Sequence, residues 1–407
     1  MDSDTDNTHI MKRIASVIVM LLAVCIMAGA QDRFSGLADA QTFGQRMVYL
    51  WRLLCAPNPS LDSTRIFQPV KGWGAGITYG LVGEQVRVVS DGDLSLIEDA
   101  THVRYTTNLF LKDNATHSIG VYGRYGPIQL GINREIGRTE GYHKSYNFKW
   151  LGNFFCLDAR YVTYKSMLDG DISVDLINYP DSKLNGYKGS AAVTPGTLAT
   201  MSTVVVNGIY AFNRKRFAYR AAYNGRVVQR RSAGSLLVAA KYMYGNFEID
   251  DSNPVLMNLI TGLGRYETRQ FSLGAGYSFN WVPYHRDAVS PRDLRGLRNL
   301  TFNVTAVPML TLVNALTTYQ YAFAGKFQKM DDMTKYLTFS RVQPNLTARA
   351  SICYNTGRFY VNVWADYTRF VFRNNPRDFT SKIGSMTLSQ SGEFSSWMVT
   401  LQLNYRF

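Results

Sequence analysis

Apolar and polar residues alternate with a period of two along much of this chain, the pattern of strands with two unlike faces. In 72–81, Trp73, Ala75, Ile77, Tyr79 and Leu81 share one face, opposite Gly74, Gly76, Thr78 and Gly80. In 101–111, Val103, Tyr105, Thr107, Leu109 and Leu111 oppose His102, Arg104, Thr106 and Asn108. In 270–281, Phe271, Leu273, Ala275, Tyr277, Phe279 and Trp281 oppose Gln270, Ser272, Gly274, Gly276, Ser278 and Asn280. The last segment, 395–407, sets Trp397, Val399, Leu401, Leu403, Tyr405 and Phe407 against Met398, Thr400, Gln402, Asn404 and Arg406. Aromatic residues at both ends of that apolar row suit the two interfaces of a bilayer. Each apolar row is therefore expected to face lipid, and each polar row the inside.

Further strands are expected at 118–125, 128–135, 145–151, 155–164, 202–212, 217–228, 235–245, 299–312, 345–354 and 358–370. Segments 85–90 and 171–178 alternate less clearly. No stretch after Ala30 approaches the roughly 20 apolar residues of a spanning helix, so any membrane crossing must be made by strands. The expected fold is all-β: a transmembrane antiparallel β-barrel of roughly 12–16 strands, even in number as single-chain bacterial barrels are. With the C-terminus periplasmic, Asn355-Thr356-Gly357 is a tight periplasmic turn, 231–234 lies on the same side, and 246–269, 317–344 and 373–393 are outer loops. On this count 282–298, with Pro283 and Pro291, is longer than a periplasmic turn should be.

Two segments precede the barrel. Residues 1–30 read as a leader and signal peptide: Met11-Lys12-Arg13 is a basic start, 14–27 an apolar run and Ala28-Gly29-Ala30 a small-residue cleavage site. The acidic 1–10 does not suit such a signal, so Met11 is the expected start. Val24 before Cys25 is bulkier than a lipid-attachment site tolerates. Residues 31–71 read as a periplasmic segment, where Thr42 and Gln45 match a capping box and Phe43, Met47, Leu50 and Leu54 recur at helical spacing. A short amphipathic helix is expected there, capping or partly plugging the barrel, which then runs 72–407.

Composition agrees: 26 Tyr, 22 Phe and 33 Gly among 407 residues supply aromatics and turns without long apolar runs. The net charge is +14, and residues 1–30 hold Asp2, Asp4 and Asp6 against Lys12 and Arg13, so cleavage raises it to +15. Cations that meet lipid headgroups and lipopolysaccharide, or that line an anion-selective lumen, account for the excess. Nucleic acid is not an expected partner in that compartment. The mature chain keeps Cys55, Cys156 and Cys353, an odd and widely spaced set that is neither a disulfide framework nor a zinc pattern and leaves a Cys156–Cys353 pair open.

Candidate chemistry is thin. No nucleophile elbow, His-Glu-x-x-His or Walker loop is present. Asp250-Asp251 and Asp331-Asp332 fall in expected loops, and of His102, His117, His143 and His285 only His102 is placed on an inward face. The coherent set is the inward charge: Arg104, Arg124, Lys149, Arg160, Arg220, Lys241 and Arg349, opposed mainly by Asp158 and Asp366. Of these, Arg104, Arg124, Arg160, Arg220, Lys241, Arg349, Asp158 and Asp366 are the expected lumen-lining residues. No catalytic, cofactor-binding or metal-ligating residue is assigned.

Asn213, then 215–223 (Lys-Arg-Phe-Ala-Tyr-Arg-Ala-Ala-Tyr), then 229–235 (Gln-Arg-Arg-Ser-Ala-Gly-Ser), resemble a Bacteroidetes family, that of domain of unknown function 4421. The similarity continues through 271–277 (Phe-Ser-Leu-Gly-Ala-Gly-Tyr) and covers most of the mature chain. The resemblance implies outer-membrane residence and supplies no activity, while the closing strand with its final Phe407 resembles the signal read by barrel-insertion machinery. By alternation, 217–228 is expected to be one arm of a hairpin with Arg220 facing inward. A passive channel or solute-uptake barrel with a basic lumen is the leading functional expectation. A structural or assembly component of the envelope with a periplasmic partner is the alternative, and an outer-membrane hydrolase a minor one.

Overall fold

A computed structural model describes residues 42, 45, 61–69, 72–96, 102–112, 115–137, 142–152, 155–177, 186, 188–225, 227–250, 263–320, 322–323, 327–328, 334–339, 342–373, 377–380 and 384–407. Its strands are β1 Ile66–Phe67, β2 Trp73–Leu96, β3 His102–Lys112, β4 Thr116–Tyr125, β5 Ile128–Ile136, β6 Tyr142–Leu151, β7 Phe155–Ile177 and β8 Lys188–Ala211. They continue with β9 Val228–Gln229, β10 Ala233–Ile249, β11 Leu263–Arg286, β12 Arg298–Gln320, β13 Ala322–Phe323, β14 Phe327–Gln328, β15 Thr334–Phe339, β16 Gln343–Thr356, β17 Phe359–Arg373, β18 Arg377–Thr380 and β19 Gly384–Arg406.

Among the described residues one antiparallel sheet closes on itself, through β2, β4, β5, β6, β7, β8, β10, β11, β12, β16, β17 and β19 and back to β2, twelve strands in all. Closure pairs the first long strand with the last, from Gly74 against Arg406 to Leu96 against Gly384. The strand number is even and both ends of the barrel sequence meet at one rim, the rim of the short turns at Gly126 and Gly357. In single-chain barrels that rim is periplasmic. Gly357 has φ +89°, the left-handed value that a two-residue turn needs.

The exterior shows a lipid-type band. Trp73, Ile77, Tyr79, Tyr277, Phe279, Trp281, Leu403 and Phe407 are exposed, as their alternation predicts. The outward row from Trp397 to Phe407 spans about 25 Å along the barrel axis at the usual strand rise and tilt, the height of such a band. Its short-turn edge is aromatic, with Trp73 against Tyr125, Trp281 against Phe302 and Phe359 against Tyr405.

Above the band the wall continues and its polarity inverts. The outward row of β2 turns from Trp73, Ile77 and Tyr79 to Gln85, Arg87 and Asp91, all exposed. Its inward row there is Val82, Val86 and Val88, all buried. The neighbouring β3 follows it, burying Thr107, Leu109 and Leu111. The faces expected for 101–111 are thus reversed, and Arg104 is corrected from lumen to outer surface, where it pairs with Asp93 at 3.7 Å. The physical reason is the solvent outside: beyond the bilayer, apolar rows gain by turning inward. Segments 85–90 and 171–177 are not separate strands but the upper halves of β2 and β7.

Segment 217–228 is not a hairpin arm. It carries a single 3-10 turn, Tyr219–Ala222, and its described residues are buried within the barrel. Residues 287–297 lie at the rim of the short turns, and their length has a purpose, since Leu294 and Leu297 pack on Phe67 and Val228 to cover the mouth. Thr42 and Gln45 exchange reciprocal hydrogen bonds of a capping box, 3.1 and 3.2 Å long. The signal segment and the helical stripe at Phe43, Met47, Leu50 and Leu54 lie outside the described residues.

Candidate functional site

Neighbouring strands β8 and β10 pair from Ala211 against Leu237 upward, so a tight turn could join them at the periplasmic rim. Instead residues 212–232 fold into the lumen as a plug. Phe217, Ala222, Asn224 and Gln229 are wholly buried. Small residues Ala218, Ala221 and Ala222 let the chain cross the narrow interior. Gly225 adopts φ +56° with Tyr360 and Arg406 so close that a Cβ would meet both at 2.9 Å.

An irregular segment enclosed by a membrane barrel must have its backbone groups satisfied from the wall. Inward asparagines supply this. Asn280 donates to Ala218 O at 3.0 Å, Asn299 to Gln229 O at 2.8 Å, and Asn362 to Ala222 O and Tyr223 O at 3.2 and 3.0 Å. Arg124 donates to Asn224 O at 3.4 Å, and Arg406 to Gly225 O and Gly357 O. The plug answers with Tyr223 Oη, which donates to Asn303 at 2.6 Å, and Arg220, which donates to Leu151 O at 3.0 Å. Gln229 clasps the segment on itself, accepting from Ala218 N at 2.9 Å and donating to Arg216 O at 2.8 Å. These partners lie on β4, β6, β11, β12, β17 and β19, so the plug is tied around the ring rather than to one side.

Above the plug lies a cavity of about 100 Å³ whose lining includes Lys149, Asp158, Arg160, Arg349, Trp364 and Asp366. Arg349 is its centre, with Nη2 3.0 Å from Asp158 and Nε 2.5 Å from Asp366. The other cations use softer partners. Lys149 stands 4.6 Å over Trp364, and Arg160 points Nη1 at Met398 Sδ, 3.0 Å away. Lys241 donates to Thr347 and Thr368 at 3.2 Å and lies 4.4 Å over Phe370. Higher still, Val86, Val88, Leu109, Leu111, Ile172, Met201, Phe247 and Leu316 form one cluster, each at most 6% exposed. Side chains around an open lumen of water would not be so covered.

Four of the expected lumen residues, Asp158, Arg160, Arg349 and Asp366, therefore line this chamber, and Lys241 lies beside it against Thr368 and Phe370. Arg124 binds the plug instead, and Arg220 belongs to it and donates to the Leu151 carbonyl of the wall. Sequence reasoning missed the asparagines, Arg406 and the buried His143. Their signal was there: Asn280, Asn299, Asn303, Asn362 and Asn404 all fall on inward rows in the halves of β11, β12, β17 and β19 nearest the short turns. Cys156 and Cys353 are both buried and free, which closes the question of a bond between them. Among the described residues no three His, Cys, Asp or Glu side chains gather as a metal site would require.

Several solved structures resemble the chain at low identity. The outer membrane protease OmpT from Escherichia coli is 11% identical over 84% of this chain and 98% of its own, with a TM-score of 0.27. The β domain of the Bordetella autotransporter BrkA is 11% identical over 80% of this chain and 100% of its own, at 0.29. The toluene transporter TodX of P. putida is 8% identical over 82% and 90%, at 0.24. No curated protein matches. The sequence profile of one family matches residues 98–390, most of the barrel and all of the plug, and the chain belongs to that family, the domain of unknown function DUF4421.

Proposed function

We propose that this outer-membrane barrel is a closed, non-enzymatic structural component of the cell envelope and not a passive channel. The observation that carries the reading is the plug: residues 212–232 cross the lumen and are hydrogen-bonded to strands around the ring. The apolar cluster above the cavity supports it from the other side. An undocked plug would leave inward asparagines and arginines without the carbonyls they now meet, at about 1–3 kcal/mol for each unsatisfied buried group. Purified protein in planar bilayers is expected to give no stable conductance steps. A steady open level at low voltage would overturn the proposal.

A second reading is favoured by one observation, the cations of the chamber. Lys149 and Arg160 line the cavity without a salt bridge to a carboxylate within 4 Å among the described residues, which suits a solute pathway that opens when the plug moves. Conductance that is silent until a periplasmic extract is added would favour it.

A further inference from the structure

We infer that the periplasmic end face of the barrel is a docking surface for a carboxylate-rich polyanion, the peptidoglycan layer beneath the outer membrane. The inference deepens the reading of the barrel as an envelope component and rests on it for the partner's place.

The face is built from the ends of the plug, the 287–297 loop and the 357–358 turn. It carries three described acids, and each is already engaged. Asp62 accepts from Thr64 Oγ1 at 2.6 Å and lies 3.8 Å from Arg65. Asp287 meets Arg230 at 2.8 Å and His285 at 2.9 Å, and Asp293 meets Arg295 at 2.6 Å. The hydrogen bonds from Thr64, His285 and Arg295, with the neighbouring guanidinium charges, hold these three carboxyls below the usual range, so all are ionised at neutral pH. Five exposed cations remain without a carboxylate partner among the described residues: Lys215, Arg231, Arg286, Arg292 and Arg298.

Two observations choose the partner. First, Lys215, Arg231 and Arg292 stand on segments that cross the mouth, inside the aromatic edge of the wall, and so face the periplasm rather than lipid headgroups. Second, exposed Phe212, stacked edge-on against Tyr210 of the wall, and Tyr284 belong to the aromatic edge, and beyond that edge Val289 is the one large apolar side chain exposed on this face among the described residues. Protein interfaces are anchored by buried aromatic and aliphatic groups within a polar rim. A face of spread cations without such anchors suits a flexible polymer of fixed negative charge. Residues 31–60 hold Asp32 and Asp39 against Arg33, Arg46 and Arg52, so the preceding segment adds to the positive charge of the chain and does not cancel it.

The test sediments full-length protein in zwitterionic nanodiscs with isolated peptidoglycan sacculi. Capture at low ionic strength and release at high ionic strength are expected. At roughly five-fold per cation near an anionic surface, the combined variant Lys215→Gln, Arg231→Gln, Arg286→Gln and Arg292→Gln should bind several hundred-fold more weakly. Heat-modifiable migration checks that its barrel is intact. Wild-type protein should also lose binding to sacculi whose carboxylates have been amidated, an arm that does not depend on any variant folding. The inference is overturned if wild-type protein stays in the supernatant, if the variant or amidated sacculi bind equally, or if anionic lipid vesicles capture the protein in preference to sacculi. A conducting barrel would defeat the closed-barrel reading without touching the sedimentation result, so the two failures are distinguishable.

Discussion

Asn362 gives the sharpest measure of how firmly the plug is held. Its amide is wholly buried and donates to two consecutive plug carbonyls, Ala222 O at 3.2 Å and Tyr223 O at 3.0 Å. Leu in its place keeps the volume and removes both donors. Two buried carbonyls are then unpaired, a loss of about 2–4 kcal/mol in the docked state. Undocked, the same carbonyls can find water, so nearly all of that loss falls on the docking equilibrium. At 1.4 kcal/mol per factor of ten, about 3 kcal/mol raises the undocked fraction about 150-fold.

Cys156 reports that fraction. Its thiol is free and buried in a cluster with Phe217, Tyr219 and Tyr223 of the plug, so a reagent reaches it from the periplasmic side only after the plug leaves. In a Cys55→Ser, Cys353→Ser background, the maleimide labelling rate of Cys156 should rise about 150-fold in the Asn362→Leu variant, in the regime where reclosing outpaces labelling. Migration on gels checks that the barrel stays folded. An unchanged rate, with complete labelling after denaturation, would refute the view that wall asparagines hold the plug.

Further outcomes follow from the same geometry. Arg349→Met strands Asp158 and Asp366 in the chamber and should cost about 3–5 kcal/mol in urea unfolding from vesicles, while adding Asp158→Asn and Asp366→Asn should recover most of it. Gly225→Ala forces a Cβ against Tyr360 and Arg406 at a positive φ, and should accelerate Cys156 labelling by about ten-fold or more. The Asp287 carboxyl is held low by the His285 hydrogen bond and the Arg230 charge, so its stabilising contribution is present above the unfolded value and lost as pH falls through the folded one. Wild-type protein should therefore melt above Asp287→Asn at neutral pH, and the difference should begin to narrow as pH falls below about 4 and vanish only below the folded value.

Much of the barrel was legible because membrane strands show two solvents at once. Wherever a strand crosses lipid, as from Trp397 to Phe407, the apolar row must face out, and the parity read from sequence matches the exposed side chains. The same logic misled at Thr107, Leu109 and Leu111. Alternation gives the two faces of a strand and never says which solvent lies outside, so a strand above the bilayer reads like one within it with its faces exchanged. Charge was the available clue: the outward partners Arg87, Asp91 and Arg104 are costly in lipid and ordinary in water.

The plug was illegible for a related reason. Phe217, Tyr219, Ala221 and Tyr223 alternate with smaller and polar residues as a strand would, yet no neighbouring strand needs them, because β8 and β10 already pair with each other. What the alternation recorded was a segment enclosed on every side, touching wall and cavity by turns. Its partners could be found only once the ring was closed, where Asn280, Asn299, Asn303 and Asn362, far apart in sequence, come together beside the short turns. Asparagine is a poor strand former, and one at a single inward position means little. Four on inward rows near one rim make a collar of amides, and a collar of amides implies a backbone within it.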